Sequence, residues 1–155
     1  MTPCVQAAKR SGYKFTLHEY QHVPNTSSFG AEAAEKLGVS SNQVFKTLVL
    51  NIGDKELAVA IVPASAMLNI KSFAKSLGVK RAQMAERTEV ERSTGYVLGG
   101  ISPLGQKRQL KTLIDVSAKS FSSVYVSAGR RGLEIELAAQ DLASLTKGKF
   151  AEICK

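Results

Sequence analysis

A lysine inside an apolar run is the first residue of this chain that asks for a chemical explanation. Lys46 falls within Val44-Phe45-Lys46-Thr47-Leu48-Val49-Leu50, and the period of two along a strand puts it on one face with Val44, Leu48 and Leu50. Burying an ammonium alone is prohibitive, so its side chain either snorkels at a sheet edge or lines a cleft that meets a phosphate, a ribose or a carbonyl. The second such feature is Gly95-Tyr-Val-Leu-Gly-Gly-Ile-Ser-Pro-Leu-Gly-Gln-Lys107. Adjacent glycines are entropically costly, and Gly99-Gly100 makes most sense where φ must be positive or where something approaches the backbone closely. Backbone N–H groups at Gly100, Ile101 and Ser102 would then face a phosphate, a carboxylate or a developing oxyanion. An ordinary Gly-Pro turn accounts for the same spacing.

Other patterns carry less. His18-Glu19-Tyr20-Gln21-His22 matches the zinc-protease spacing H-E-x-x-H, but that chemistry needs both histidines on one helical face and a further ligand. Here the preceding residues alternate as a strand, Pro24 follows, and the chain holds only these 2 histidines. No metal is therefore expected. A strand sends His18 and Tyr20 to one face, toward a possible cleft, and Glu19 to the other. Ser102 is no hydrolase elbow, because Leu104 stands where G-x-S-x-G needs glycine. Gly129-Arg130-Arg131-Gly132 reads as a basic turn that either contacts phosphates or is simply solvated. Beyond it Glu134 and Glu136 share one strand face, the wet side of a sheet unless that face borders the glycine loop. In that case Glu134 could hold an amine or a ribose hydroxyl. Cys4 and Cys154 lie at opposite ends without metal-type spacing and read as reduced bystanders.

The elements that must position these residues follow from caps and periodicity. Thr2 caps a helix with Pro3 at its first position, and Gly12 stops it after Ser11. Tyr13–Tyr20 alternates as a strand, Phe29–Leu37 is helical up to Gly38, and Ser40-Ser41 opens the next element. Val44–Ile52 and Glu56–Val62 form a hairpin across Gly53-Asp54, ended by Pro63. Helices are predicted for Asn69–Leu77, Glu86–Ser93 and Gln140–Leu145, with strands at Tyr96–Leu98, Thr112–Val116, Ser123–Ala128 and Leu133–Leu137. This irregular interleaving predicts a mixed α+β domain around a bent sheet.

At 155 residues with 44% hydrophobic content, the chain is read as one domain, 1–155, with a single core. No apolar run approaches a membrane span, and the N-terminal residues lack the features of an export signal, so a cytoplasmic location is expected. The net charge of +8, from 21 Lys and Arg against 13 Asp and Glu, favours a polyanionic partner such as RNA. The cations gather between Lys71 and Arg92 and recur at Lys107, Arg108, Lys111, Arg130 and Arg131. Spread among folded elements, they suggest a docking face.

Three stretches together carry a resemblance: Val44–Leu48, Gly95–Lys107, and Gly129-Arg-Arg-Gly-Leu-Glu-Ile-Glu-Leu137. In this order they resemble the YbaK/EbsC family of free-standing Cys-tRNA(Pro) deacylases, and the likeness covers nearly the whole chain. That family is related to the editing domain inserted in bacterial prolyl-tRNA synthetases. The resemblance implies a mixed, strongly curved, barrel-like sheet flanked by short helices, and no cofactor. It implies trans-editing: hydrolysis of cysteine wrongly esterified to tRNA(Pro), in partnership with prolyl-tRNA synthetase. Lys46 is similar to the family's essential lysine, Tyr20 and Phe29 to its aromatic pocket positions, and Gly99, Gly100, Ile101 and Ser102 to the loop facing the ester. Relatives often have Asp where Glu134 stands, so the charge here reaches one methylene further. His18 joins the substrate-binding expectation, and Arg130, Arg131, Lys107 and Arg108 the tRNA-binding one. In this family the substrate's own thiol is thought to attack its ester. A basic RNA-binding or synthetase-associated module without catalysis, a deacylase for another small amino acid such as alanine, and a zinc hydrolase remain alternatives.

Overall fold

The computed structural model describes residues 1–24 and 28–155. Helix α1 (Pro3–Ser11) starts where the Thr2 hydroxyl accepts the Val5 N–H, satisfying one of the orphan donors of a helix start. Strand β1 (Phe15–Glu19) is shorter than the alternating run Tyr13–Tyr20. Helix α2 (Phe29–Leu37) ends where the Gly38 N–H reaches back to its last carbonyls. Residues 41–43 form a turn, with the hydroxyl of Ser40 just before it accepting the Asn42 N–H.

Strands β2 (Phe45–Gly53) and β3 (Glu56–Pro63) form the expected hairpin. Helix α3 (Ile70–Leu77) is capped by Asn69, and β4 (Gln83–Met84) leads into α4 (Arg87–Thr94). After the glycine loop come β5 (Lys111–Asp115), a 3-10 turn (Val116–Ser120), β6 (Val124–Arg130), β7 (Leu133–Leu137), α5 (Ala139–Thr146) and β8 (Lys149–Ala151).

The architecture is mixed α+β, as expected, but a single curved, barrel-like sheet is not what the chain builds. There are two ladders, β1-β7-β6 and β4-β2-β3-β5-β8. Among the described residues one isolated bridge, Val44 with Tyr125, links them. A continuous barrel would need that pairing to run on between β2 and β6; instead the strands diverge after a single rung.

The five-stranded sheet is covered on both faces. Val49, Val59, Ile61 and Ile114 join one core with Val126, Ile135 and Leu142, while Leu50, Ala60, Val62 and Leu113 pack on the other side with Phe73 and Ile153. That double burial explains why β3 reads as a continuous apolar run rather than an alternation. The expected strand Tyr96–Leu98 is a loop. Its apolar residues serve other ends: Tyr96 is buried and donates its hydroxyl to the Leu104 carbonyl, and the Leu98 N–H donates to Glu91 of α4.

Candidate functional site

The cavity opens where the two sheets part. The Gln43 carbonyl accepts the Tyr125 N–H and the Val49 carbonyl accepts the Ala85 N–H, so this stretch is tied on its outer flank just before β2 and again at the middle of the strand. Since the Val44 carbonyl is bonded toward Ala64, the alternation of an antiparallel ladder directs the N–H and C=O of Thr47 away from β3, onto the flank left open between those ties. A cavity of about 270 Å³ lies there. Val44 to Leu48 form one wall, Tyr20 and Phe29 another, and Leu98, Gly99 and Ile101 of the glycine loop a third. Glu134 and Ser127, from neighbouring strands, line it as well, and Arg130 and Arg131 stand on the β6–β7 turn at its edge.

Lys46, half-buried on β2, therefore shares one cavity with Gly99 and Ile101. Its ammonium also bears on Cys154, opposing the burial and the neighbouring Asp115 that push that thiol up to about 12. Glu134 is 6% exposed. No hydrogen bond or ion pair to its carboxylate exists among the described residues, and burial pushes its pKa up to about 8. Burial first, and then the charge of Glu134, push the Tyr20 phenol up to about 12. The hydroxyl oxygen Oγ1 of Thr47 is buried and has no hydrogen-bond partner among the described residues. The cavity thus combines apolar walls with a few polar groups that lack partners, the usual composition of a small-molecule pocket.

The glycine loop meets its expectation only in part. Gly99 has φ +95, and a Cβ there would fall onto the Arg131 guanidinium, 2.7 Å from Nη2. Gly100 has another purpose: its N–H donates to the Val97 carbonyl at 3.0 Å, and a Cβ would lie 2.9 Å from the Arg130 Cα. Its N–H is therefore not available to a ligand, and the residue is small so that the β6–β7 turn can pack against it. Ser102 is fully buried, its hydroxyl accepting the Leu104 N–H. Neither Gly100 nor Ser102 lines the cavity; Ile101 is the member of that trio that does.

Several expected residues sit elsewhere. His18 lies outside the cavity lining, with Nε2 2.9 Å from Glu136 and its ring against Tyr125. Glu136 also accepts from the Ser123 hydroxyl, and so is a partnered residue, unlike Glu134. His22 faces Glu32 instead of sharing a helical face with His18, and among the described residues no cluster of three metal-ligating side chains occurs. Lys107 and Arg108 follow α4 by backbone bonds to Thr94 and Ser93, and Arg108 lines a separate polar cavity of about 190 Å³. Cys4 is buried, and burial pushes its thiol up to about 11. With both thiols raised well above neutrality, neither cysteine presents a reactive thiolate. Ser127 and Thr47 escaped the sequence reading because a hydroxyl on a strand carries no pattern of its own.

Residues 23–145 match the model of the aminoacyl-tRNA editing domain. The chain belongs to this family. Among editing-domain relatives, EbsC of Enterococcus faecalis, named as a candidate Cys-tRNA(Pro)/Cys-tRNA(Cys) deacylase, is 41% identical over 143 residues, covering 91% of this chain and 87% of that protein. A proline–tRNA ligase of Trichlorobacter lovleyi is 32% identical over 107 residues, 69% of this chain but only 18% of the ligase. The editing-domain fold also recurs in a solved structure described as a candidate trans-editing enzyme for prolyl-tRNA synthetase. Its TM-score is 0.84 at 21% identity, covering 100% of this chain and 99% of that one.

Proposed function

We propose that this editing domain is an aminoacyl-tRNA deacylase that acts in trans on Cys-tRNA(Pro), with prolyl-tRNA synthetase as its partner in the cytoplasm. The observation that carries the reading is the cavity where Lys46, Gly99, Ile101 and Glu134 meet, in a chain 41% identical to a named deacylase candidate. At about 270 Å³, it suits a small aminoacyl group and part of a ribose.

In this reading the partnerless carboxylate of Glu134 receives the α-ammonium of the aminoacyl group, and Tyr20 and Phe29 enclose the side chain. Lys46 meets the negative charge of the 3′ end or the developing oxyanion, joined by the backbone of Ile101. The substrate thiol adds to its own ester carbonyl. A C–S bond forms, the C–O bond to the 3′ oxygen breaks, and the 3′ hydroxyl leaves with the proton that the thiol gave up. Water then opens the resulting β-thiolactone to free cysteine. Positioning supplies ~7 to 11 kcal/mol of such a barrier, and oxyanion stabilisation roughly 3 kcal/mol more. Recognition of a small side chain is weak, ~1 to 3 kcal/mol per methylene, so selectivity for cysteine over alanine rests on the thiol's reactivity.

Cys-, Ala-, Ser- and Pro-charged tRNA(Pro) offered with and without synthetase test this directly. Release of cysteine in preference to alanine is expected, and equal release of both would refute thiol assistance. Lys46→Ala should lower kcat/KM about a hundredfold. A chain whose Lys46→Ala variant changed only its salt-dependent RNA affinity would be a binding module instead. Replacing Cys4 and Cys154 together by Ser should leave turnover intact.

A further inference from the structure

The arginines of the β6–β7 turn are held in different ways. Arg130 is exposed and lies 3.8 Å from Glu19, which offsets its charge. Arg131 has no carboxylate partner among the described residues and is instead fixed by uncharged groups. Its guanidinium lies 4.2 Å over the Phe29 ring, Nη2 donates to the Leu98 carbonyl at 3.4 Å, and Nη1 lies 3.5 Å from His22 Nε2. It rests against the α-carbon of Gly99, where any side chain would displace it. The guanidinium thus spans the cavity edge from the start of α2 to the glycine loop.

Arginine has five donors and no acceptor, so His22 Nε2 must accept from it. The imidazole proton then sits on Nδ1, 2.6 Å from Glu32 Oε1, and Glu32 is further fixed by accepting the Val23 N–H at 2.8 Å. Glu32, buried on α2, thereby sets the tautomer of His22, and that tautomer presents a lone pair to Arg131. Three of the five guanidinium donors remain without a partner among the described residues. A planar cation stacked on a ring, with unfilled donors and uncompensated charge, is built for a phosphate oxygen pair.

We propose that Arg131 binds the 5′ phosphate of the nucleotide whose 3′ oxygen carries the ester, and that His22, oriented by Glu32, is the positioning residue that holds it there. The assignment rests on reading the cavity as an aminoacyl-ester pocket. With the ester and ribose inside, the next anionic group along the chain is that phosphate, one sugar away and at the edge where Arg131 stands.

The contact is separable from catalysis by using an uncharged acceptor-stem RNA hairpin ending in CCA, with its last internucleotide phosphate either native or a neutral methylphosphonate. The wild-type protein should lose about tenfold in affinity on neutralising that linkage. Arg131→Ala should lose about tenfold on the native hairpin and nothing further on the neutral one; an equal further loss would overturn the contact. His22→Phe keeps a ring against Phe29 but removes the acceptor, and should raise KM for Cys-charged tRNA several-fold, with the loss falling on KM rather than kcat. His22→Gln restores an acceptor and should recover most of that loss. If His22→Phe and His22→Gln behave alike at matched thermal stability, the positioning role is wrong. Absence of wild-type turnover beside a non-additive phosphate cycle would count against the ester reading and leave the Arg131 contact standing; turnover beside an additive cycle would do the reverse.

Discussion

Glu134 sits in this fold without a partner for its charge, and the cost should be measurable. Its carboxyl titrates near 8 in the folded protein against an ordinary 4.5, so the native state holds a proton that the unfolded chain gives up. Below the unfolded value both states are protonated and nothing is lost; as pH rises toward the folded value the penalty grows. The unliganded protein should therefore lose stability between about pH 5 and about pH 8, by roughly 3 to 4 kcal/mol from this group. Denaturant titrations of Glu134→Gln should show a flatter pH dependence, and an unchanged slope would mean that Glu134 is solvated. Lys46 was legible in the sequence because a strand's period of two exposes an ion among apolar neighbours, whereas the same period placed Glu134 beside Glu136 on a polar face, and the resemblance pointed to it as a site residue. The pairing of Arg131 with His22 was not, since 109 positions separate them and only the tertiary fold brings them together.

Among the elements, helices declared themselves best. Thr2 and Asn69 cap α1 and α3 with their side chains, and glycines in left-handed conformation close α1, α2 and α3, so both ends of α1 and α3 and the C-terminal end of α2 were written in residue type. Asn69→Ala should cost about 1 kcal/mol, read from the shift of the denaturation midpoint. The two-residue β4 and three-residue β8 are too short to show a period. The Tyr96–Leu98 stretch misled because an apolar run was read as a strand when tertiary contacts to Leu104 and Glu91 hold it as a loop. The two loop glycines should also separate by experiment. Gly100→Ala meets the Arg130 backbone, which cannot yield cheaply, so it should cost about 2 kcal/mol or more of stability. Gly99→Ala both strains a backbone held at φ +95 and displaces the Arg131 guanidinium, so it should lower RNA affinity as well as stability, whereas the loss at Gly100 should fall on stability. Helix α1 supports the same region from below, with the Thr2 hydroxyl donating to the Ala128 carbonyl and Gly105 packed on the Pro3 backbone.

For the whole molecule, the net charge of +8 makes association with RNA ionic in character. Raising salt from about 50 to about 200 mM should weaken RNA binding by on the order of tenfold or more while leaving kcat at saturating RNA nearly unchanged. The irregular interleaving of strand and helix signals forecast the mixed α+β class, but the division into two ladders depends on where β2 and β6 stop pairing, a long-range choice that no local pattern records. That parting of the sheets also supplies a built-in reporter. The main-chain amide of Thr47 belongs to a central, well-packed strand, yet its flank is open, so in the vacant protein it should trade its hydrogen for deuterium far faster than Val59 and Ile61 beside it. Seating of the 3′ end would slow that exchange at one amide, giving a readout of occupancy that needs neither turnover nor a labelled tRNA.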